Sequence, residues 1–325
     1  MPALALTAAH VDGEFGHDAP LVCHALAATQ AAALAAAAWA GRGDPRAADA
    51  AATSAMRTAL CAASGTGIVI TGEGAKDEAP MLVDGELTGG GRPIFDIAVD
   101  PLECTDLCAR GLPGALSTIA VAPQGSLWSP GPAFYMNKLV LPPAARAAAR
   151  ITDPPEMTLQ RVAEALGKDV AELRVVVLAK PRHTELIAHL RSLGAAVTTP
   201  PAGDVAGALA VLLPDGGADL LLGIGGTPEG VLAACAARAL GGGMQGRVAP
   251  QRDDERERVE AIGRSPDRVL ELDDLAGADA AFVATGVTGG LLAPPVRQPG
   301  FVATESIVIA NGAVRYIRQT SPNEE

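Results

Sequence analysis

The chain has 325 residues, 49% of them hydrophobic, which is long enough for two domains with proper cores and too apolar for a disordered chain. Its 37 Asp and Glu outweigh 25 Lys and Arg, and the net charge of −12 disfavours nucleic acid and anionic lipid surfaces as partners. An anionic small substrate is repelled as well, unless metal ions and a few placed cations reverse the sign locally.

The first twenty residues contain no Lys or Arg but do contain Asp12, Glu14 and Asp18, which argues against a signal peptide. The Ala-rich segment Leu21 to Ala40 has the length of a membrane span. It carries His24, Thr29 and Gln30, however, and alanine gives little transfer energy, so a packed core helix is expected. It ends at Gly41-Arg-Gly-Asp44. A second helix should run from Pro45 to about Ala63, with Asp44 as a natural N-cap. A short strand, Ile68 to Thr71, then breaks into the loop Gly72 to Met81. Two glycines around Glu73 allow a tight turn that aims a carboxylate, and Asp77 and Glu78 follow in the same loop.

The next apolar run, Ile94 to Val99, is expected to stop as a strand at Asp100, because Pro101 cannot extend a hydrogen-bond ladder. Asp100, Glu103 and Thr105 are left at the strand mouth. Two readings fit them: oxygen ligands for a hard cation that also meets a phosphate, or a strand followed by a capped helix. Asp44, Glu73, Asp77 and Asp100 each border an element end, so one sheet edge could collect them. Carboxylates that close would raise one another's pKa unless cations intervene; separate solvated turn acids are the alternative. Strands at Leu116 to Ala122 and Asn137 to Leu141 are expected to complete this sheet. The Pro- and Ala-rich stretch Pro142 to Pro155 is the expected linker. It separates an N-terminal α+β metal-site domain (1–150) from an α/β substrate domain (151–299).

Beyond it, helices and strands alternate as in a parallel sheet with helices on its faces. Helix Thr158 to Leu166 precedes strand Arg174 to Ala179, helix Pro181 to Leu193, strand Ala195 to Thr199, helix Asp204 to Leu212, strand Asp219 to Gly223 and helix Pro228 to Leu240. Lys180-Pro-Arg-His183 and Gly225-Gly-Thr-Pro-Glu-Gly230 fall at strand ends, where such sheets carry ligand loops. Arg182 can fork onto a phosphate, and the Gly225 and Gly226 amides lie ahead of a helix. The glycines match neither G-x-G-x-x-G nor a P-loop. His183 is either a helix-start hydrogen bonder or a binding group. The charged run Arg252 to Arg258 reads as a solvated helix face. Asn311-Gly312, between Phe301 to Ile309 and Ala313 to Arg318, signals a hairpin, and residues 300–320 are expected to return to the first domain. The five cysteines, odd in number and scattered, fit a reducing cytoplasm; Cys104 and Cys108 lack the second pair that a zinc site needs.

Several blocks carry a family resemblance: Gly41-Arg-Gly-Asp44, Gly72-Glu-Gly-x-x-Asp-Glu-Ala-Pro-Met81, Asp96-Ile-Ala-Val-Asp-Pro-Leu-Glu103, Lys180-Pro-Arg-His183, Gly223-Ile-Gly-Gly-x-Pro-Glu-Gly-Val231 and Ala284-Thr-Gly286. From about Leu21 to Arg318 the sequence resembles the class II fructose-1,6-bisphosphatases, metal-dependent and lithium-sensitive phosphatases. The resemblance implies a two-domain layered α/β/α/β/α sandwich and a Mg²⁺ or Mn²⁺ site. Asp44, Glu73, Asp100, Glu103 and Glu229 would be its ligands, with Asp77 and Thr105 orienting and deprotonating the attacking water. Cys104, Thr105, Tyr135, Arg182, His183, Asp204 and the Gly226 amide would hold a sugar bisphosphate. It further implies a cytoplasmic homo-oligomer, dimer or tetramer.

The departures from the family pattern are Cys104 for the signature glycine, Thr184 after Arg-His where Asp is usual, Ala202 for the first Asp of an Asp-Gly-Asp loop, and Gln30 for a customary Glu. Metal and water residues are kept, while most changes fall among groups that would hold the sugar. The expected activity is therefore sugar-bisphosphate hydrolysis, on fructose 1,6-bisphosphate or on a longer heptose or octose bisphosphate. A catalytically weak sugar-phosphate binding paralogue is the alternative. Cys104 would either sit beside the metals or point into the core.

Overall fold

The structure, a computed structural model, describes residues 19–72, 81–277 and 279–322. In chain order the elements are α1 (Ala19–Ala37), α2 (Pro45–Cys61), β1 (Ser64–Thr71), β2 (Leu87–Glu103), α3 (Thr105–Ala109) and β3 (Leu116–Pro123). There follow β4 (Tyr135–Leu141), α4 (Pro155–Leu166), β5 (Arg174–Val176), α5 (Thr184–Ser192), β6 (Ala196–Thr198), α6 (Asp204–Leu212), β7 (Leu220–Gly226), α7 (Thr227–Leu240), β8 (Gly243–Val248), α8 (Asp253–Ala261), β9 (Leu270–Glu271) and α9 (Leu272–Leu275). The chain ends in β10 (Ala281–Gly286), β11 (Val296–Gln298), β12 (Phe301–Ala310) and β13 (Ala313–Pro322).

It is an α/β protein with two sheets, and each sheet belongs to its own compact unit. The first unit runs to Leu127 and resumes at Asp279; the second is Trp128–Ala278. The division thus falls ahead of β4, not in the Pro- and Ala-rich stretch. That stretch folds instead as a 3₁₀ turn at Pro143–Ala145, and Ala145 and Ala149 are buried with Leu139 and Leu141 in the core of the second unit. Proline-rich composition marks a turn here rather than a linker, because small apolar side chains follow it into the core.

In the first unit the sheet order is β1-β2-β3-β10-β12-β11, with β13 on β12. β2 lies along both sides of β1, so that Thr66 pairs with Gly89 and also with Ile94. Pro20–Ala37 is apolar and long enough to cross a membrane, but half of that stretch is buried within the protein. Ala25, Ala28, Ala32, Ala33 and Ala36 of α1 join Met56 and Leu60 of α2 against Ile97, Val99 and Ile119 of the sheet. Small side chains let these backbones approach closely, so the helix is a core helix. The terminal hairpin returns to this sheet: β12 pairs with β10, and Asn311 (φ 51°) and Gly312 (φ 77°) make the two-residue left-handed turn that Asn-Gly favours.

β2 does not stop at Asp100. Its ladder with β3 pairs Asp100 with Thr118 and then Glu103 with Leu116, so three steps on β2 match two on β3. Pro101 lies in this bulge, one of the few places in a sheet where a residue without an N–H is tolerated.

The second sheet has the order β6-β5-β7-β4-β8-β9. β5 runs parallel to β6 and β7, while β4 is antiparallel to both β7 and β8. The sheet is therefore mixed rather than parallel, and β4 belongs at its centre instead of completing the first sheet. The helix-strand alternation after residue 155 could not reveal a strand contributed from before it.

Candidate active site

In the first unit Asp100 and Glu103 come together at one end of the sheet. Side chains alternate along a strand, so Asp100 and Glu103, three apart, would ordinarily face opposite ways. The bulge at Pro101 changes the parity, since their partners Thr118 and Leu116 are two apart. Asp100 and Glu103 accordingly offer carboxylate oxygens within 4.8 Å of each other. Asp100 is half-buried and accepts the Leu102 amide at 3.2 Å; Glu103 is only 4% exposed. Thr105 opens α3 and its hydroxyl donates to the Leu102 carbonyl at 2.9 Å, which leaves the oxygen free to act as an acceptor.

The loop before α2 is fastened to the same place. Gly41 N–H donates to Cys108 O (2.9 Å) and Gly43 N–H to Ala109 O (2.8 Å), so the carbonyls of α3 hold the Gly41-Arg-Gly-Asp44 turn. Asp44 then caps α2, accepting the Ala47 amide at 3.0 Å with one oxygen. β1 ends at Thr71, registered to Ala98, and Gly72 after it lies alongside Val99. Glu73 and Asp77 lie outside the described residues, but the chain enters their loop at this end of the sheet.

Cys104 takes the left-handed conformation (φ 66°, ψ 45°) in which glycine meets no Cβ conflict. Its side chain is half-buried and packs against the core of the first unit. Of the two expectations for the thiol, this packing favours the core.

In the second unit the site is built around the Gly223–Gly226 end of β7. A Cβ at Gly223 (φ +124°) would come within 2.9 Å of His183 Nε2, one at Gly225 would overlap the Asp204 carboxylate, and one at Gly226 would overlap Glu229. Three side chains thus occupy the space that glycines leave. Asp204, the first residue of α6, is 7% exposed and forms a salt bridge through Oδ2 with Lys138, which is 1% exposed in the middle of β4. Glu229 sits in the first turn of α7 with Oε2 buried and, among the described residues, without a hydrogen-bond partner.

His183 is buried with both ring nitrogens engaged by backbone: Nδ1 with Leu178 O and Nε2 with the Ile224 amide, each at 2.8 Å. Since an amide can only donate, Nε2 is the acceptor and Nδ1 carries the proton. Burial holds the ring's pKa below the ordinary 6.5, with Arg182 and Lys180 pushing the same way. His183 supports the β7 end and has no donor left for a substrate. Arg182 donates twice to Ile224 O (3.1 and 2.8 Å) and stacks over Tyr135, 5.1 Å from the ring centroid. Tyr135, half-buried at the start of β4, is fixed from behind by Glu255.

The charged run is a solvated face, exposed from Arg252 to Arg258, except at Glu255. Glu255 is fully buried and accepts the amides of Phe134 (2.8 Å), Tyr135 (3.2 Å) and Gln251 (2.9 Å). The only sequence signal for it was Val259 one turn later, which shares its buried face. Lys138 gave none, because a lone lysine in an apolar strand reads as an edge position.

Two outcomes follow from these geometries. Cys104→Gly should raise stability by about 1 kcal/mol by relieving the left-handed Cβ, seen as a higher urea midpoint; a lower midpoint would show that the core contact of the thiol outweighs the strain. His183 has a depressed folded pKa, so its contribution to stability is present above about pH 6.5 and is lost as pH falls towards the folded value. His183→Asn should flatten the fall of the unfolding free energy over that window; an unchanged slope would mean that His183 is not the group being titrated.

The chain matches, over residues 19–321, the family described as "Bacterial fructose-1,6-bisphosphatase, glpX-encoded". It is 42% identical over 306 residues to the "Fructose-1,6-bisphosphatase 1 class 2" of Escherichia coli (strain K12), covering 90% of this chain and 91% of the relative. The same figures hold for the "Fructose-1,6-bisphosphatase class 2" of Escherichia coli O6:H1 and that of Shigella flexneri. With both sheets and all six sequence blocks inside the matched span, the chain belongs to the class II fructose-1,6-bisphosphatases, a family of phosphoric monoester hydrolases.

Proposed function

We propose that the chain hydrolyses one phosphate ester of a sugar bisphosphate, with Asp44, Glu73, Asp100, Glu103 and Glu229 holding Mg²⁺ or Mn²⁺. The observation that carries this reading is the Pro101 bulge, which turns the Asp100 and Glu103 oxygens to within 4.8 Å of each other. Two such carboxylates repel unless a cation lies between them, and the donor set is all oxygen, as hard divalent ions prefer. The buried Oε2 of Glu229, without a partner among the described residues, fits the same need. A bound divalent cation would supply charge neutralisation to the phosphoryl group and a lowered pKa for the attacking water.

The remaining work falls to side chains. Asp77 is assigned as acceptor of the water's proton, and Thr105, its own proton committed to Leu102 O, orients the water through a lone pair. Arg182, held flat on Tyr135, has guanidinium edge left for a phosphate, and the Tyr135 hydroxyl and Gly226 amide add donors. Asp204 is assigned to sugar hydroxyls. His183 acts indirectly, by holding the Ile224 amide.

For the substrate we favour a heptose or octose bisphosphate over fructose 1,6-bisphosphate. Thr184 and Ala202 stand where the family pattern carries carboxylates, and Thr184 spends its hydroxyl on Pro181 O (2.9 Å). The sugar end thus has fewer acceptors. We read the protein as a cytoplasmic homo-oligomer, dimer or tetramer; none of its five cysteines, all described, is in a disulfide.

Asp100→Asn should lower kcat by about a hundredfold or more, because a metal site contributes several kcal/mol of charge stabilisation. The fold should survive, since the Asn oxygen can still accept the Leu102 amide; near-normal turnover in saturating Mg²⁺ would remove the metal assignment. Substrate choice is read by phosphate release across a panel of sugar mono- and bisphosphates with Mg²⁺ or Mn²⁺. The highest kcat/KM should fall on a heptose or octose bisphosphate. A maximum on fructose 1,6-bisphosphate would return the chain to its family's named substrate, and release from none would leave the binding paralogue.

A further inference from the structure

Lys138 is the largest fully buried side chain among the described residues, and the reading above gives it no task. It lies at the centre of β4, opposite Gly223 of β7 and Gly246 of β8, whose missing side chains leave room for its stem. A Cβ on Gly230 would sit 3.3 Å from its Cε, so α7 closes the remaining side. An ammonium in such a place is retained only with a charged partner, and that partner is Asp204.

The pair is joined to the site rather than isolated within the core. The Asp204 carboxylate lies against Gly225, and its charge also reaches the His183 ring, which accepts the neighbouring Ile224 amide. Lys138 takes Oδ2 of Asp204, whereas Oδ1 accepts from no described residue and the side chain keeps 7% exposure. One oxygen is anchored and the other is left as an acceptor. A carboxylate oxygen with a fixed direction suits a sugar hydroxyl as donor.

We propose that Lys138 is a positioning residue for sugar binding, which fixes Asp204 through Oδ2 so that Oδ1 meets a hydroxyl of the substrate. The inference rests on the sugar-binding role assigned to Asp204. The test is steady-state hydrolysis of the best sugar bisphosphate of the panel in saturating Mg²⁺ by wild type, Lys138→Met, Asp204→Asn and the double variant. Lys138→Met should raise KM by about tenfold or more with kcat nearly unchanged, the size expected for losing a well-directed charged hydrogen bond. The double variant should bind no worse than Asp204→Asn alone, because the two residues act as one unit.

A folded Lys138→Met with wild-type KM would overturn the proposal and leave Lys138 a purely structural residue, visible only as a lowered Tm. If Lys138→Met does not fold, the double variant carries the test, since it leaves no buried charge unpaired. A wild-type KM there would equally overturn the proposal. Wild type inactive on the whole panel would instead overturn the phosphatase reading, and the Lys138 role with it.

Discussion

A single extra residue in β2 is the constraint on which the first unit's chemistry depends. Without the bulge at Pro101, Glu103 would project from the face opposite Asp100, and no pair of carboxylates could meet at the strand end. Proline makes the irregularity obligatory, because it has no N–H for the ladder at that point. The strand then continues to Glu103 and turns into α3, whose terminal carbonyls fasten the Gly41–Gly43 loop. Asp44 is thereby carried to the same sheet end that β1 reaches at Thr71. Three chain segments remote in sequence are brought together by one bulge and two backbone hydrogen bonds.

The second unit follows a different logic. Here the chain end of β7 is shaped by side chains filling the space of absent ones: His183 under Gly223, Asp204 under Gly225, Glu229 over Gly226. The arrangement keeps polar groups dry without leaving most of them unsatisfied. His183 spends both nitrogens on backbone, Asp204 has Lys138, and Glu255 takes three amides near Tyr135. Glu229 is the exception, with a buried oxygen that no donor among the described residues meets, and a buried polar atom of that kind calls for an explanation.

What the sequence disclosed was what is local. Gly and Pro punctuation located most helices and strands, the capping role of Asp44 followed from Pro45, and Asn311-Gly312 fixed the last hairpin. The clustered motifs disclosed the family. What it could not disclose were pairings between distant segments. β4 looks like a strand of the preceding sheet until β7 and β8 are seen on either side of it. Lys138 and Glu255 look solvated until burial shows what they hold, since a charge in sequence is exposed by default. The parity change at Pro101 was hidden for the same reason: a proline announces the end of a ladder, and only the partner strand shows that the ladder resumes.

Cys104 shows how such a site tolerates a departure. The position demands left-handed backbone immediately after Glu103, and any residue other than glycine is strained there. Cysteine is small, and its thiol packs into the same apolar core that holds Val99 and Cys108, so part of the strain is offset by burial. The carboxylates before it and the hydroxyl after it keep their directions because β2, β3 and α3 set the backbone on both sides. The cost is then one of conformational energy at a single residue and not of geometry at the ligands. A larger or branched side chain would lose that balance, since neither the left-handed angle nor the core would accommodate it.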